Sequence, residues 1–175
     1  QVHVIASATR SLEDAAGMAR ATGINAVILS DAIEGEAREV GRVHAAIARE
    51  VQRNDRPFQK PVLILSGGET TVTLDQSGGR GGRNSEFLLA FALAIDGLEG
   101  ISALAADTDG IDGSQDNAGA FADGSTAQAI RAAGFDPTEL LTRHDAWGAF
   151  EAANSLFVTG PTGTNVNDFR AILIR

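Results

Sequence analysis

A helix-length segment in the middle of the chain is apolar on nearly every side. After Arg83 it reads Asn-Ser-Glu-Phe-Leu-Leu-Ala-Phe-Ala-Leu-Ala-Ile and ends at Ile95. A helix that is apolar all round must be covered by other elements, so this segment predicts a layered core. Strand-length apolar runs alternate with segments of helical periodicity on both sides of it, which favours an α/β fold. We therefore predict a layered α/β/α arrangement with a mixed, mainly parallel sheet and a C-terminal hairpin formed by strands at 156–159 and 169–174.

The polar segment 54–61 is the best candidate for a boundary, because it contains two prolines and no strand or helix pattern. The residues before it have a β-α-β-α pattern that starts with a strand at 2–6. We predict two parts, residues 1–58 and residues 59–175, which can pack as one unit.

Composition excludes several classes of protein. Cysteine is absent, which removes disulfides, thiolate metal sites and cysteine nucleophiles and fits a cytoplasmic location. The formal net charge is −9 and tyrosine is absent, so a nucleic-acid surface is not expected. No apolar run approaches the roughly 20 residues that cross a membrane. Lys60 is the only lysine, so phosphate binding would depend on arginine and backbone N–H groups.

A glycine loop, Gly-Gly-Arg-Gly-Gly-Arg-Asn at 78–84, leads directly into the apolar helix. The N–H groups of Gly81 and Gly82, together with the positive end of the helix, favour an anion. Arg80 and Arg83 add planar donors suited to phosphate or carboxylate. The alternative is a flexible connection with two solvated arginines. Since the loop matches neither the phosphate-binding loop of common NTPases nor a dinucleotide fingerprint, those two classes are not supported.

Three aspartates follow the predicted strand 101–106. Ligands of open α/β sheets bind beyond the carboxyl ends of strands, so Asp107 and Asp109 are candidates either to hold magnesium or to act as a general base. A calcium loop is excluded because Asp112 falls one place late and residue 118 is Ala. The alternative is that these acids cap turns beside glycine.

Two further loops carry weaker candidates. Glu69 follows the predicted strand 61–66 and a Gly67-Gly68 turn, and it can bind an arginine or a metal or can belong to the turn alone. The loop 159–168 offers Thr162 and Asn165 to a polar ligand, although a plain turn has the same composition. The three histidines have no ligand-like spacing and are expected to be structural.

Four of these segments together resemble the MOFRL domain of class II glycerate kinases, proteins that are often labelled hydroxypyruvate reductases. The segments read Ser-Gly-Gly-Glu-Thr-Thr at 66–71, Gly-Arg-Gly-Gly-Arg-Asn at 79–84, Asp-Thr-Asp-Gly-Ile-Asp-Gly at 107–113 and Thr-Gly-Pro-Thr-Gly-Thr-Asn-Val-Asn-Asp at 159–168. Residues 29–37 resemble the last part of the family's larger N-terminal domain.

The resemblance implies transfer of the ATP γ-phosphate to the 2-hydroxyl of D-glycerate, with Mg²⁺, in a cleft between two domains. It implies that Arg83 grips the glycerate carboxylate or the transferring phosphate and that Asp109 lies beside the hydroxyl. Glu69 and Asn165 are further residues that the resemblance carries over. Together with the loop and strand-end residues singled out above, the candidate substrate- or phosphate-binding residues are Glu69, Arg80, Gly81, Gly82, Thr162 and Asn165, and the candidate metal ligand is Asp107.

The family's N-terminal domain and its catalytic lysine would precede Gln1. If the sequence is the whole polypeptide, we expect no kinase activity from it. An NAD(P)H-dependent hydroxypyruvate reductase and a non-catalytic domain that binds a small anion are the alternatives, and a homodimer is left open.

Overall fold

The computed structural model describes residues 7–74 and 78–175, so the strand predicted at 2–6 and the three residues before the glycine loop lie outside the described residues. The helices are α1 (Ala8–Ala21), α2 (Ala37–Asn54), α3 (Arg83–Ala94), α4 (Thr126–Ala132), α5 (Pro137–Thr142) and α6 (Ala146–Ala152). The strands are β1 (Asn25–Ile28), β2 (Ile33–Glu36), β3 (Val62–Thr71), β4 (Ile101–Asp107), β5 (Gly119–Asp123), β6 (Leu156–Phe157) and β7 (Asp168–Ile174). No helix of these ranges has both the length and the apolar character that a membrane span requires.

The strands form one mixed sheet in the order β1-β3-β7-β4-β5-β6, with β2 also paired to β3. The α/β class and the mixed sheet are therefore confirmed. Among the strands of residues 7–74 and 78–175, only β1 and β2 run parallel to β3, whereas β3–β7, β7–β4, β4–β5 and β5–β6 are antiparallel. The expectation of a mainly parallel sheet was wrong because β4 and β5 are joined by a loop, without the helical crossover that parallel neighbours need.

The predicted C-terminal hairpin is also wrong. β6 pairs with β5 at one edge of the sheet, while β7 lies between β3 and β4. The intervening segment 158–167 thus carries the chain past β5 and β4 before it enters the centre of the sheet. This position brings the start of β7 beside the ends of β3 and β4.

Gly67 and Gly68 do not form a turn, because β3 runs through them without interruption. Gly68 has φ +135°, and a Cβ atom there would lie 2.1 Å from the carbonyl oxygen of Ile33. The absent side chain thus lets β2 pair closely with β3, as the register of Ile33 opposite Gly68 requires.

The core has two unequal layers, one on each face of the sheet. α1 covers the smaller layer, in which Leu12 packs with Leu65. The alternate β3 residue Ile64 faces the larger layer, which contains α3. Every residue from 84 to 92 is buried, which confirms the prediction of a core helix. Both predicted parts of the chain contribute strands to this one sheet.

Candidate functional site

Arg83, the first residue of α3, is held by two buried carboxylates. Its Nε donates to Asp168 Oδ1 at 2.7 Å, and its Nη2 donates to Asp107 Oδ2 at 2.6 Å. The two carboxylates are 0% and 5% exposed, but the arginine side chain is 28% exposed. Within residues 7–74 and 78–175 no acceptor is placed on Nη1. The guanidinium is therefore fixed in orientation and keeps one nitrogen available for an anion.

Asp168 joins this arginine to a second one. Its Oδ2 accepts a hydrogen bond of 2.6 Å from Nη2 of Arg170, whose side chain is completely buried. The same Nη2 donates to Thr70 Oγ1 at 3.0 Å, and the guanidinium lies 4.9 Å from the ring centre of Phe87. Burial lowers the pKa of Arg170, while the charge of Asp168 opposes that shift. Sequence reasoning missed this pair, although the alternating pattern of β7 places both residues on one face with the apolar Ile172 and Ile174.

Asp107 and Asp109 meet at the end of β4. Asp107 Oδ1 accepts from the backbone N–H of Asp109 at 3.1 Å, so Arg83 and Asp109 both contact the Asp107 carboxylate. Burial raises the pKa of Asp107 to about 6, against the opposing effects of the Asp109 N–H and Arg83. Asp109 Oδ1 accepts from the N–H of Ile111 at 2.8 Å. One Asp109 oxygen thus serves a turn, as the alternative interpretation expected, and Oδ2 has no donor in the described part of the chain.

Asp112 occupies the N-terminus of α3. Its Oδ1 accepts from the N–H of Asn84 at 2.9 Å, and its Oδ2 accepts from the N–H and the hydroxyl of Ser85 at 2.8 and 2.5 Å. The carboxylate is buried, and burial raises the pKa of Asp112. The chain's own carboxylate thus accepts from two of the N–H groups at this helix end, those of Asn84 and Ser85. Binding of a ligand anion by the glycine loop stays a prediction.

The glycine loop is anchored on α6 and its preceding turn. The N–H of Gly79 donates to the Arg143 carbonyl at 2.7 Å, and the N–H of Arg80 donates to Asp145 Oδ1 at 3.1 Å. The Arg80 guanidinium lies 4.0 Å from the centre of the Trp147 ring. Arg80 is thus held against α6, whereas Arg83 points to the last residue of β4 and the first residue of β7.

Gly82 allows the loop and the Asp112 segment to approach each other. A Cβ atom at Gly82 would lie 2.4 Å from the carbonyl carbon of Asp112. The N–H groups of Gly81 and Gly82 have no acceptor among the residues that the structure describes. Their assignment to a phosphate or substrate stays a prediction.

The remaining predicted residues surround this site in different ways. Thr162 supports Asp109, since its N–H donates to the Asp109 carbonyl at 2.9 Å. Asn165 Oδ1 accepts from the N–H of Asn167 at 3.1 Å and shapes its own turn. Glu69 is exposed on β3.

The pKa of Arg83 lies above its ordinary value. Burial acts to lower this pKa, but the hydrogen bond and charge of Asp168, with the charges of Asp107 and Glu69, outweigh the effect of burial.

A metal site is not built by this part of the chain alone. In residues 7–74 and 78–175, no group of three or more histidine or acidic side chains is placed to hold an ion. Both Asp107 oxygens already accept hydrogen bonds, from Arg83 and from the Asp109 N–H. The residues present therefore do not fit a protein-built Mg²⁺ site, and the assignment of Asp107 as a metal ligand stays a prediction.

A second charged cluster escaped sequence reasoning. Glu86 is 2% exposed, and its Oε1 accepts from Arg38 at 2.5 Å and lies 3.2 Å from His144 Nδ1. Two of its members line a cavity of about 90 Å³ beside the glycine loop, with Val72, Leu74, Gly79, Gly81, Gly82, Glu86 and His144 around it. The cluster connects α2 to α3 and to the turn before α6.

The chain is similar to known proteins over most of its length. The model of the MOFRL family matches residues 62–168. A D-glycerate 2-kinase of Thermotoga maritima is 43% identical over 168 residues, which cover 96% of this chain and 40% of that protein. A protein of Agrobacterium vitis that is provisionally named a hydroxypyruvate reductase is 52% identical over 99% of this chain and 45% of its own length.

Solved structures give the same result for the fold. The crystal structure of a glycerate kinase from Thermotoga maritima superposes with a TM-score of 0.97 at 42% identity, over 100% of this chain and 42% of that one. The chain thus spans less than half the length of each of these relatives.

Proposed function

Because the chain belongs to the MOFRL family, we propose that it supplies one wall of the active site of a glycerate 2-kinase. The reaction is transfer of the γ-phosphate of ATP to the 2-hydroxyl of D-glycerate. The observation that carries the proposal is Arg83, which two buried carboxylates hold in place while its Nη1 stays available. The names of the relatives from Thermotoga and Pyrococcus support glycerate as the substrate.

The geometry suits a reaction that depends on positioning and charge. Phosphoryl transfer needs little covalent chemistry from the protein, and most of its catalysis comes from orientation and electrostatic stabilisation. Arg83 would bind the glycerate carboxylate or the transferring phosphate, and its restraint lowers the entropy lost when the anion binds. Asp109 would accept or orient the hydroxyl proton through Oδ2. Since the described residues build no Mg²⁺ site, any Mg²⁺ that neutralises charge at the phosphates would arrive with ATP.

Part of the site would come from outside these residues. In the matched relatives more than half of the polypeptide lies beyond the region shared with this chain. We propose that residues 1–175 alone bind D-glycerate and do not turn it over, and that a second region such as the one in those relatives supplies the remaining groups. A cytoplasmic location and a homodimer stay predictions.

Calorimetric titration with D-glycerate tests the binding part of the proposal. Saturable binding is expected for the chain and should weaken at least tenfold in Arg83→Ala, because the free guanidinium nitrogen is lost. Arg42→Ala removes the same charge from an exposed pair with Glu39 and should bind like the original chain. Equal affinity of all three proteins would refute the assignment of Arg83.

Enzyme assays separate the kinase from its alternatives. Release of ADP in the presence of D-glycerate, ATP and Mg²⁺, measured when the second region is present, supports the kinase. The provisional name of the Agrobacterium relative favours testing reduction of hydroxypyruvate by NADH or NADPH in parallel. If glycerate binds, but neither ADP release nor reduction of hydroxypyruvate is detected when the second region is present, a non-catalytic anion-binding domain would be favoured.

A further inference from the structure

We propose that Arg170 is a positioning residue for Arg83 and acts through the Asp168 carboxylate that the two arginines share. The inference deepens the proposed function and rests on it for the identity of the ligand, an anion of the glycerate or phosphate type. The arrangement of the two arginines on one carboxylate does not depend on that identity.

The burial of Arg170 needs an explanation beyond packing. Its side chain is 0% exposed, and two of its nitrogens, Nε and Nη1, have no hydrogen-bond partner in the described residues. Burying an arginine with unsatisfied donors is costly, and β7 continues on the same face with the apolar Ile172 and Ile174. An apolar side chain would therefore be the ordinary solution at position 170. The contacts that use the charge of Arg170 are the position over the Phe87 ring and the 2.6 Å hydrogen bond to Asp168, and the second of these is the one that reaches the site.

Asp168 divides its two oxygens between the two arginines. Oδ1 accepts from Arg83 Nε and from Asn84 Nδ2, at 2.7 and 2.8 Å. Oδ2 accepts from Arg170, and its contacts with Thr70 are longer, at 3.3 and 3.4 Å. Without Arg170, Oδ2 would be a buried carboxylate oxygen with only these weak partners, and Arg83 would be the nearest cation able to turn toward it. That movement would withdraw Nη1 from a ligand.

The charge balance points in the same direction. Arg83 and Arg170 carry two positive charges, and Asp107 and Asp168 carry two negative charges when both are ionised. Removal of Arg170 leaves this group with an excess negative charge close to the Arg83 guanidinium, whose Nη1 is the nitrogen available to a ligand. An incoming anion would then meet repulsion in a region of low dielectric constant, where charges act strongly on one another. Arg170 thus preserves the positive character that Arg83 presents.

Side-chain NMR of the Nε–H group of Arg83 tests the positioning directly, without a ligand. The resonance is identified by its loss in Arg83→Lys. In Arg170→Met it should move away from its original position, and in Arg170→Lys, which restores the cation, it should return toward it. Titration with D-glycerate and, separately, with inorganic phosphate should show at least a tenfold loss of affinity in Arg170→Met and partial recovery in Arg170→Lys.

Two controls make the result decisive. Arg42→Met changes the net charge equally at an exposed site and should alter neither measurement. If Arg170→Met does not fold, Thr70→Val removes the neutral partner of Arg170 Nη2, together with the 3.4 Å hydroxyl contact to Asp168 Oδ2, and should shift the Arg83 resonance in the same direction by a smaller amount. An unchanged Arg83 resonance in a folded Arg170 variant overturns the inference. Absence of glycerate binding in the original chain would instead count against the proposed function, while the resonance would still decide the role of Arg170.

Discussion

Asp112 is the N-terminal cap of α3, although 28 residues separate it from Asn84. Asp112→Ala would remove the acceptor of two backbone N–H groups and of the Ser85 hydroxyl in a buried place. A hydrogen bond to a charged group contributes about 1.5–3 kcal/mol, so the two backbone bonds together would contribute about 3–6 kcal/mol. The cost of burying the carboxylate, which raises the pKa of Asp112, offsets part of this. We therefore expect a loss near the lower end, about 3 kcal/mol.

Urea unfolding, followed by far-ultraviolet circular dichroism, measures this loss. Asp112→Asn keeps one acceptor oxygen, so its free energy of unfolding should fall by only about 1–2 kcal/mol. Asp116→Ala changes an exposed acid of the same loop and should stay within about 0.5 kcal/mol of the original chain. A loss below about 1 kcal/mol in Asp112→Ala would refute the reasoning, because caps alone typically contribute that much.

Three other changes test separate parts of the molecule. Because burial raises the pKa of Asp107 from 3.8 to about 6, the folded chain retains a proton that the unfolded chain releases between these pH values. The free energy of unfolding should thus fall as pH rises from about 4 to about 6, and urea titrations of Asp107→Asn should lack this fall. Gly68→Ala would place a methyl group against the Ile33 backbone and should lower the thermal midpoint by more than about 8 °C, whereas an unchanged midpoint would contradict the close pairing of β2. Glu86→Gln weakens the pair with Arg38 and should lower the free energy of unfolding, measured by urea titration, by about 1–3 kcal/mol. An unchanged free energy of unfolding would show that this pair is unimportant for stability.

The core helix could be predicted from the sequence, but the order of the strands could not. The apolar residues of α3 are consecutive in the chain, so they reveal its burial directly. The position of β7 depends on its pairing with β3 and β4. Both partners precede it in the chain by many residues, and neighbours in sequence were the natural first choice for a hairpin. The alternating burial of β7 indicated a strand and could not indicate its partners.

The candidate site shows the same division. Arg83 and Asp109 were found because a glycine loop and a strand end are local patterns, and the structure brings both residues to Asp107. The contact of Arg83 with Asp168 spans 85 residues, so no local pattern could indicate it. The cap that Asp112 forms on α3 was not predicted because its contacts with that helix are tertiary, and these contacts take two of the N–H groups at the helix end beside the glycine loop.

A crystal structure of the chain with D-glycerate tests the assignment of Arg83 most directly. The account predicts a carboxylate oxygen of the ligand within about 3 Å of Arg83 Nη1, with the hydrogen bonds of Arg83 to Asp107 and Asp168 preserved. Glycerate bound away from Arg83, for example in the cavity of about 360 Å³ between Gly97 and Gln128, would contradict the account.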